Sequence, residues 1–215
     1  HVQHAEEYRQ KPLVGAFLRW IRFIAILASL FLLPLWYIYA TNDYLLSERW
    51  QFIGPNEVGH LSLIWQFLIA EAGIEMMRMA AIHTPNALAT ALGLVAAVLI
   101  GEVAIKVGLF SSEVILYVAI VATGTFATPS YELSLANRLF RILFLISSAL
   151  FGIWGFVLAV LFWFILLVRA KTLDTPYLWP LIPFHGPSLW SVLFRTPIPL
   201  QHERPPILHP QDATK

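Results

Sequence analysis

The sequence has no cysteine, which excludes a disulfide framework, thiolate metal sites and a cysteine nucleophile. It is also poor in charge: Asp, Glu, Lys and Arg make up 13% of the 215 residues and balance to a formal +1 at pH 7. That balance gives no basis for a nucleic-acid partner or an acidic substrate. No glycine-rich phosphate loop occurs, and no two histidines have the i, i+4 spacing of a helical metal site. His1 and His4 are terminal, His60 and His83 are isolated, and His185, His202 and His209 are scattered among prolines. The serine pairs at 111–112 and 147–148 lack a nucleophile elbow and an evident base. Nothing here points to an enzyme, a cofactor or a metal. A signal-peptide pattern is missing too, and the chain opens on His1 with polar residues, so it reads as a fragment without its N-terminal part.

Apolar residues are what the chain has in quantity: 58% are hydrophobic and the mean hydropathy is +0.69, too apolar for an ordinary soluble domain. Five apolar stretches stand out. The first, 23–40, is uncharged and spans about 27 Å as a helix, close to the hydrocarbon thickness. Pro34 is expected to kink it, and Trp36, Tyr37 and Tyr39 suit a headgroup interface. The third, 87–101, extends to 109 only by including Glu102 and Lys106. The fourth, 114–128, is short for a span. The fifth, 142–168, is longer than a bilayer requires, so it either tilts or breaks where Gly152-Ile-Trp-Gly155 concentrates glycine.

The second stretch, 61–82, differs. Glu71, Glu75 and Arg78 fall at i, i+4 and i+7 on one helical face, with Ile69, Gly73, Met76 and Ala80 roughly opposite. Such an amphipathic helix lies in the interface, re-enters partway, or faces a watery cavity. The fold expected is an all-α integral membrane protein: about four transmembrane helices, one amphipathic or re-entrant helix, and a C-terminal tail rich in proline and aromatics. Its parts are a cytoplasmic lead-in (1–22), a transmembrane domain (23–168) and a cytoplasmic tail (169–215). Lys11, Arg19 and Arg22 before the first span, and Arg169 and Lys171 after the last, place both ends inside. Arg138 and Arg141 then face outward, against the charge rule. The prolines of the tail prevent long helix and strand, and its aromatics predict a segment packed extended on the membrane face or a neighbouring subunit.

Three constellations bear on function. Ala89, Gly93, Ala97 and Gly101 form a small-residue stripe that lets another helix approach, within one subunit or between subunits. Glu102 and Lys106 have the favourable glutamate-first i, i+4 order, as a local ion pair or as part of a charged ring at a pore mouth. Glu71, Glu75 and Arg78 form an interfacial polar face or a pore-facing stripe. In the second case two carboxylates with one nearby cation attract cations. Between the fourth and fifth stretches, Glu132 and Arg138 are placed to pair as a structural lock.

Several blocks together resemble the A-subunit family of bacterial spore germination receptors, the GerA family. They include Phe52-Ile-Gly-Pro55, Arg78-Met-Ala-Ala-Ile-His-Thr-Pro85, Val107-Gly-Leu-Phe-Ser111 and Ala127-Thr-Pro-Ser-Tyr-Glu-Leu-Ser-Leu-Ala-Asn-Arg-Leu-Phe-Arg141. The tail adds Pro176-Tyr-Leu-Trp-Pro-Leu-Ile-Pro183 and Arg204-Pro-Pro-Ile-Leu-His-Pro-Gln-Asp212. Pro129, Tyr131, Glu132, Asn137 and Arg138 sit in the most characteristic block, which with the ending places the chain nearer a sporulation branch than the receptor A subunits proper. The resemblance implies a multi-pass protein of the spore inner membrane, in contact with lipid and with other germination membrane proteins. It also implies a homo-oligomer, a pentamer, that conducts monovalent cations. The alternative is a non-conducting scaffold organising germination receptors. A secondary transporter ranks below both, because no internal repeat is found.

Overall fold

The computed structural model describes residues 11–42, 53–55, 59–83, 101–172 and 175–194. These form helices α1 (Pro12–Thr41), α2 (Leu63–His83), α3 (Ser112–Phe126), α4 (Tyr131–Arg169) and α5 (Gly186–Leu193). Residues 101–106 are also helical. A ladder of two-residue strands, β1 (Lys171–Thr172) against β2 (Thr175–Pro176), is the one departure from helix among the described elements.

α1 begins with proline in its first turn, where the missing N–H has no intrahelical partner to lose. Its 30 residues are about 45 Å long and run through Pro34, which is fully buried. α3 starts after Ser111 with Glu113 in its first turn, where a negative charge meets the positive end of the helix dipole. Its threonines are hidden in an apolar setting by bonding backward: Thr123 Oγ1 donates to the Ala119 carbonyl at 2.9 Å and Thr125 Oγ1 to Val121 at 2.8 Å. Gly124 lets α3 lie against α1, since a Cβ there would stand 2.6 Å from the Ala25 carbonyl oxygen. α1 is thus the central post, packed mainly against α3 and α4.

α4 opens at Ser130, whose Oγ accepts from the Leu133 N–H. The helix is broken at Gly152, which has φ 60° and ψ −142°, a conformation that only glycine adopts readily. The break is a reversal rather than a bend. Phe144 lies 5.9 Å from Phe156 and 6.4 Å from Trp163, ring centre to ring centre. In a straight helix, Phe144 and Trp163 would stand about 28 Å apart along the axis. α4 is therefore a hairpin of two helical arms, 131–151 and 153–169. Of the two outcomes read from the sequence, tilt or break, the molecule takes the break. Phe31 of α1 fills the angle, stacked on Phe144 and edge-on to Trp163 at 5.7 Å each.

The larger core joins Leu33 and Trp36 of α1, Phe67 of α2, Val114, Val118 and Val121 of α3, and Leu145 of α4. Outward faces are apolar as well: Leu27, Trp65, Met76, Leu150, Phe151 and Leu158 are exposed, and Trp154 is 73% exposed. Apolar surface on this scale matches a lipid surround. Two helices, α1 and α4, are long and apolar enough to cross a membrane, and α3 is a shorter apolar helix. The expected four spans are not established by them. The third stretch lies outside the described residues up to 100, as do Ala89, Gly93 and Ala97 of the small-residue stripe. Gly101, the last of that stripe, has nothing within 4 Å of where a Cβ would stand.

The tail departs from an extended segment lying on a membrane face. Residues 175–194 form the short ladder, a turn and α5, whose first turn is capped by the His185 ring accepting from the Ser188 N–H. α5 returns to the first half of α1, where buried Arg19 donates to the Val192 carbonyl at 2.8 Å and Trp20 meets Phe194 at 6.0 Å. Residues 195–215, with the Arg204–Asp212 motif, lie outside the described residues.

Candidate functional site: a charged seam between two helices

α2 carries Glu71, Glu75 and Arg78 on one face, one to two turns apart. The first arm of α4 carries Ser134, Asn137, Arg138 and Arg141 at i, i+3, i+4 and i+7, and all four are buried. The two helices meet antiparallel, so the faces match rung by rung. Arg141 Nη2 donates to Glu71 Oε2 at 2.6 Å, with each side chain 3% exposed. Arg138 pairs with Glu75. Arg78 Nη1 donates to Ser134 Oγ at 3.2 Å, and its guanidinium lies 5.4 Å from the Phe126 ring centre. Arg141 also donates to the Ser29 carbonyl, so one side chain fastens α1, α2 and α4 together.

The seam reverses two expectations. Glu71 and Glu75 do not share a single nearby cation: α4 supplies Arg138 and Arg141, and the seam holds three guanidiniums against two carboxylates. Those arginines are not loop charges: both are buried on the face of α4 that meets α2. The Glu132–Arg138 lock is absent as well. Glu132 is exposed and accepts from Ser130 Oγ at 2.7 Å, while Arg138 turns inward to Glu75. Ser130 is two residues from Glu132 and wins on proximity.

The remaining candidates are dispersed. Glu102 and Lys106 pair at 2.6 Å on the exposed helical segment 101–106, away from the seam in sequence and in solvent access. Pro129 and Tyr131 are exposed where α3 turns into α4. Asn137 is 6% exposed, and its side-chain nitrogen has no hydrogen-bond partner among the described residues. No group of three or more His, Asp or Glu stands close enough to hold a metal among the described residues.

One polar group escaped the sequence reading. Gln66 is fully buried in the first turn of α2; its Nε2 donates to the Leu61 carbonyl at 2.7 Å and its Oε1 accepts from the Ser111 N–H at 2.9 Å. It ties the start of α2 to the start of α3. The available signal was an uncharged amide inside an apolar run, where an unpaired polar group is costly.

Chemically, the seam is a positioning device. Buried ion pairs suffer desolvation and repay it only when geometry and hydrogen bonding are complete, but removing one partner strands the other. The seam therefore sets how α2 sits on α4, since a one-turn slip one way would put Arg78 opposite Arg138, and the other way would leave Glu75 opposite Ser134 and Arg141 without its carboxylate.

Residues 1–207 match the family described as Bacillus/Clostridium GerA spore germination protein. Stage V sporulation protein AF of Bacillus subtilis is 57% identical over 215 residues, all of this chain and 44% of that protein. Spore germination protein KA of the same organism is 27% identical over 217 residues, covering 99% of this chain and 40% of that protein. An uncharacterized membrane protein of B. subtilis, YfkQ, is 23% identical over 91% of this chain and 39% of its own length. The chain thus spans less than half the length of these curated relatives. No solved structure matches it. The helical, outwardly apolar architecture and a match over nearly the whole sequence lead to one conclusion: the chain belongs to the GerA family of spore germination proteins.

Proposed function

We propose that this chain is the membrane domain of an oligomeric channel that releases monovalent cations during spore germination. In this reading it crosses the spore inner membrane four times, assembles as a pentamer and works beside other germination membrane proteins. The observation that carries the reading is a fixed charged seam buried among helices whose outer surfaces are apolar. A lone anchor has no use for five ionisable side chains held at that depth.

The seam also divides the labour among the acidic residues. Glu71 and Glu75 are neutralised within one subunit, so they hold the frame on which a pathway is built. Glu102, exposed and paired with Lys106, is placed to contribute to a ring when copies assemble around an axis. Such a ring concentrates cations at a mouth, and a narrow apolar zone gates them. Potassium efflux from liposomes holding the purified protein tests this. Glu102→Gln should lower efflux with little loss of thermal stability, whereas Glu71→Gln and Glu75→Gln should lower thermal stability first. Efflux unchanged by all three substitutions removes these residues from the pathway.

A second reading is favoured by the internal neutralisation of the seam: a non-conducting scaffold that organises germination receptors through its tail and apolar faces. It predicts no efflux at all, together with loss of receptor clustering when residues 172–215 are deleted.

A further inference from the structure

Among the described residues the seam is one negative charge short. Its inner rungs balance, Glu71 with Arg141 and Glu75 with Arg138. Its outer rung sets Arg78 against Ser134 Oγ and the Phe126 ring, neither of which carries charge. Among the described residues, Arg78 Nε is buried without an acceptor, and so are Asn137 Nδ2 and Arg138 Nε and Nη2 on the facing helix. Asn137 and Arg138 are 6% and 4% exposed, so these N–H groups are turned away from bulk solvent. Glu71 Oε1 and Arg141 Nε are also left over at the innermost rung, where one acceptor offsets one donor. Glu132, the nearby carboxylate in sequence, is directed to Ser130 Oγ. Among the described residues positive charge is in excess at the outer rung, and spare donors run from there to Arg138.

That end is where three helices stop. Arg78 lies near the end of α2 at His83, Ser134 is in the first turn of α4, and Phe126 is the last residue of α3. The start of α4 adds the positive end of its dipole. The surrounding side chains are apolar and outward: Phe126 is 71% exposed, and Met79 and Leu135 are exposed too. A forked guanidinium suits an oxyanion better than a spherical ion, and an apolar skirt beside it suits the chain of an amphiphile.

We propose that Arg78 is a binding site for a phosphate oxyanion presented by an anionic lipid headgroup. The phosphate supplies the missing negative charge, and its acyl chains lie along Phe126 and the outer face of α2. The site does not depend on whether the protein conducts ions.

The test uses the purified full chain in neutral detergent, titrated separately with phosphatidylglycerol, phosphatidylcholine and inorganic phosphate. Retained lipid is read by native mass spectrometry, and thermal stability is read in parallel. Phosphatidylglycerol should be retained about fivefold better than phosphatidylcholine, the effect of one arginine at an anionic headgroup. Arg78→Gln should abolish that preference and Arg78→Lys should keep most of it. Stabilisation by inorganic phosphate that Arg78→Gln removes, without any lipid preference, assigns the same site to free phosphate. Should Arg78→Gln fail to fold, Phe126→Glu decides, because it sets a carboxylate beside Arg78 at an exposed position and should remove the preference for phosphatidylglycerol. A lipid preference unchanged in the variants, or no response of the folded wild-type chain to either probe, overturns the proposal.

Discussion

The two arms of α4 follow one another in the chain, parted only by Gly152, and are built for different surroundings. The first arm, 131–151, buries Ser134, Asn137, Arg138, Arg141 and Ser148, and faces α1 and α2 with them. The second, 153–169, carries no charge before Arg169 and exposes Trp154, Leu158, Phe162 and Ile165. The first arm is held by directional polar pairs that specify one register. The second is held by aromatic packing against Phe31 and Phe144, which tolerates small shifts. Two packing modes thus coexist in a single hairpin, and Gly152 is the joint between them.

Breaking the first arm should cost the most. Arg141→Ala strands Glu71 and removes the bond to the Ser29 carbonyl, an expected loss of about 3–5 kcal/mol. Thermal melting in detergent checks this, and the double variant Glu71→Leu/Arg141→Leu should recover much of it. Equal losses in the single and double variants would contradict the seam as drawn. Gln66→Leu comes next, at about 1–3 kcal/mol, because the buried Ser111 N–H loses its acceptor. Gly152→Ala isolates the joint: nothing lies within 4 Å of the new Cβ, so the backbone conformation alone sets the penalty, about 1–3 kcal/mol. It should loosen the second arm while leaving the seam intact, seen as faster hydrogen exchange in 153–169 than in 131–151. The smallest effect is expected from Lys106→Ala, at most about 0.5 kcal/mol, because its pair with Glu102 is exposed.

Local features were legible in the chain itself. The Glu102–Lys106 pair follows from i, i+4 spacing, and the break in the last apolar stretch follows from two glycines three residues apart in a run too long for one span. The shared face of Glu71, Glu75 and Arg78 follows from helical periodicity alone. What that face meets does not. The partner of Glu71 is 70 residues away, and nothing in the intervening sequence says that α2 runs antiparallel to the first arm of α4. Charge counting treats Arg138 and Arg141 as free loop charges, whereas the structure sets both on a buried helix face. Glu132 was misassigned to Arg138 because closeness in sequence hid a closer hydroxyl at Ser130. Gln66 was missed because one amide in an apolar run disturbs neither periodicity nor charge.

Composition, the lengths of the apolar runs and a set of contiguous motifs determined by themselves an apolar helical architecture and membership in the GerA family. These properties are sums or short-range patterns, set by covalent order and by the 1.5 Å rise of a helix. Tertiary structure alone decided that the acidic face of α2 turns inward, that three arginines gather on two carboxylates, and that one of them is left at the rim. Pairing between helices depends on how each is rotated and slid against the other. That is settled by all the contacts at once, with Gly124 against Ala25 and Phe31 in the angle of the hairpin among them.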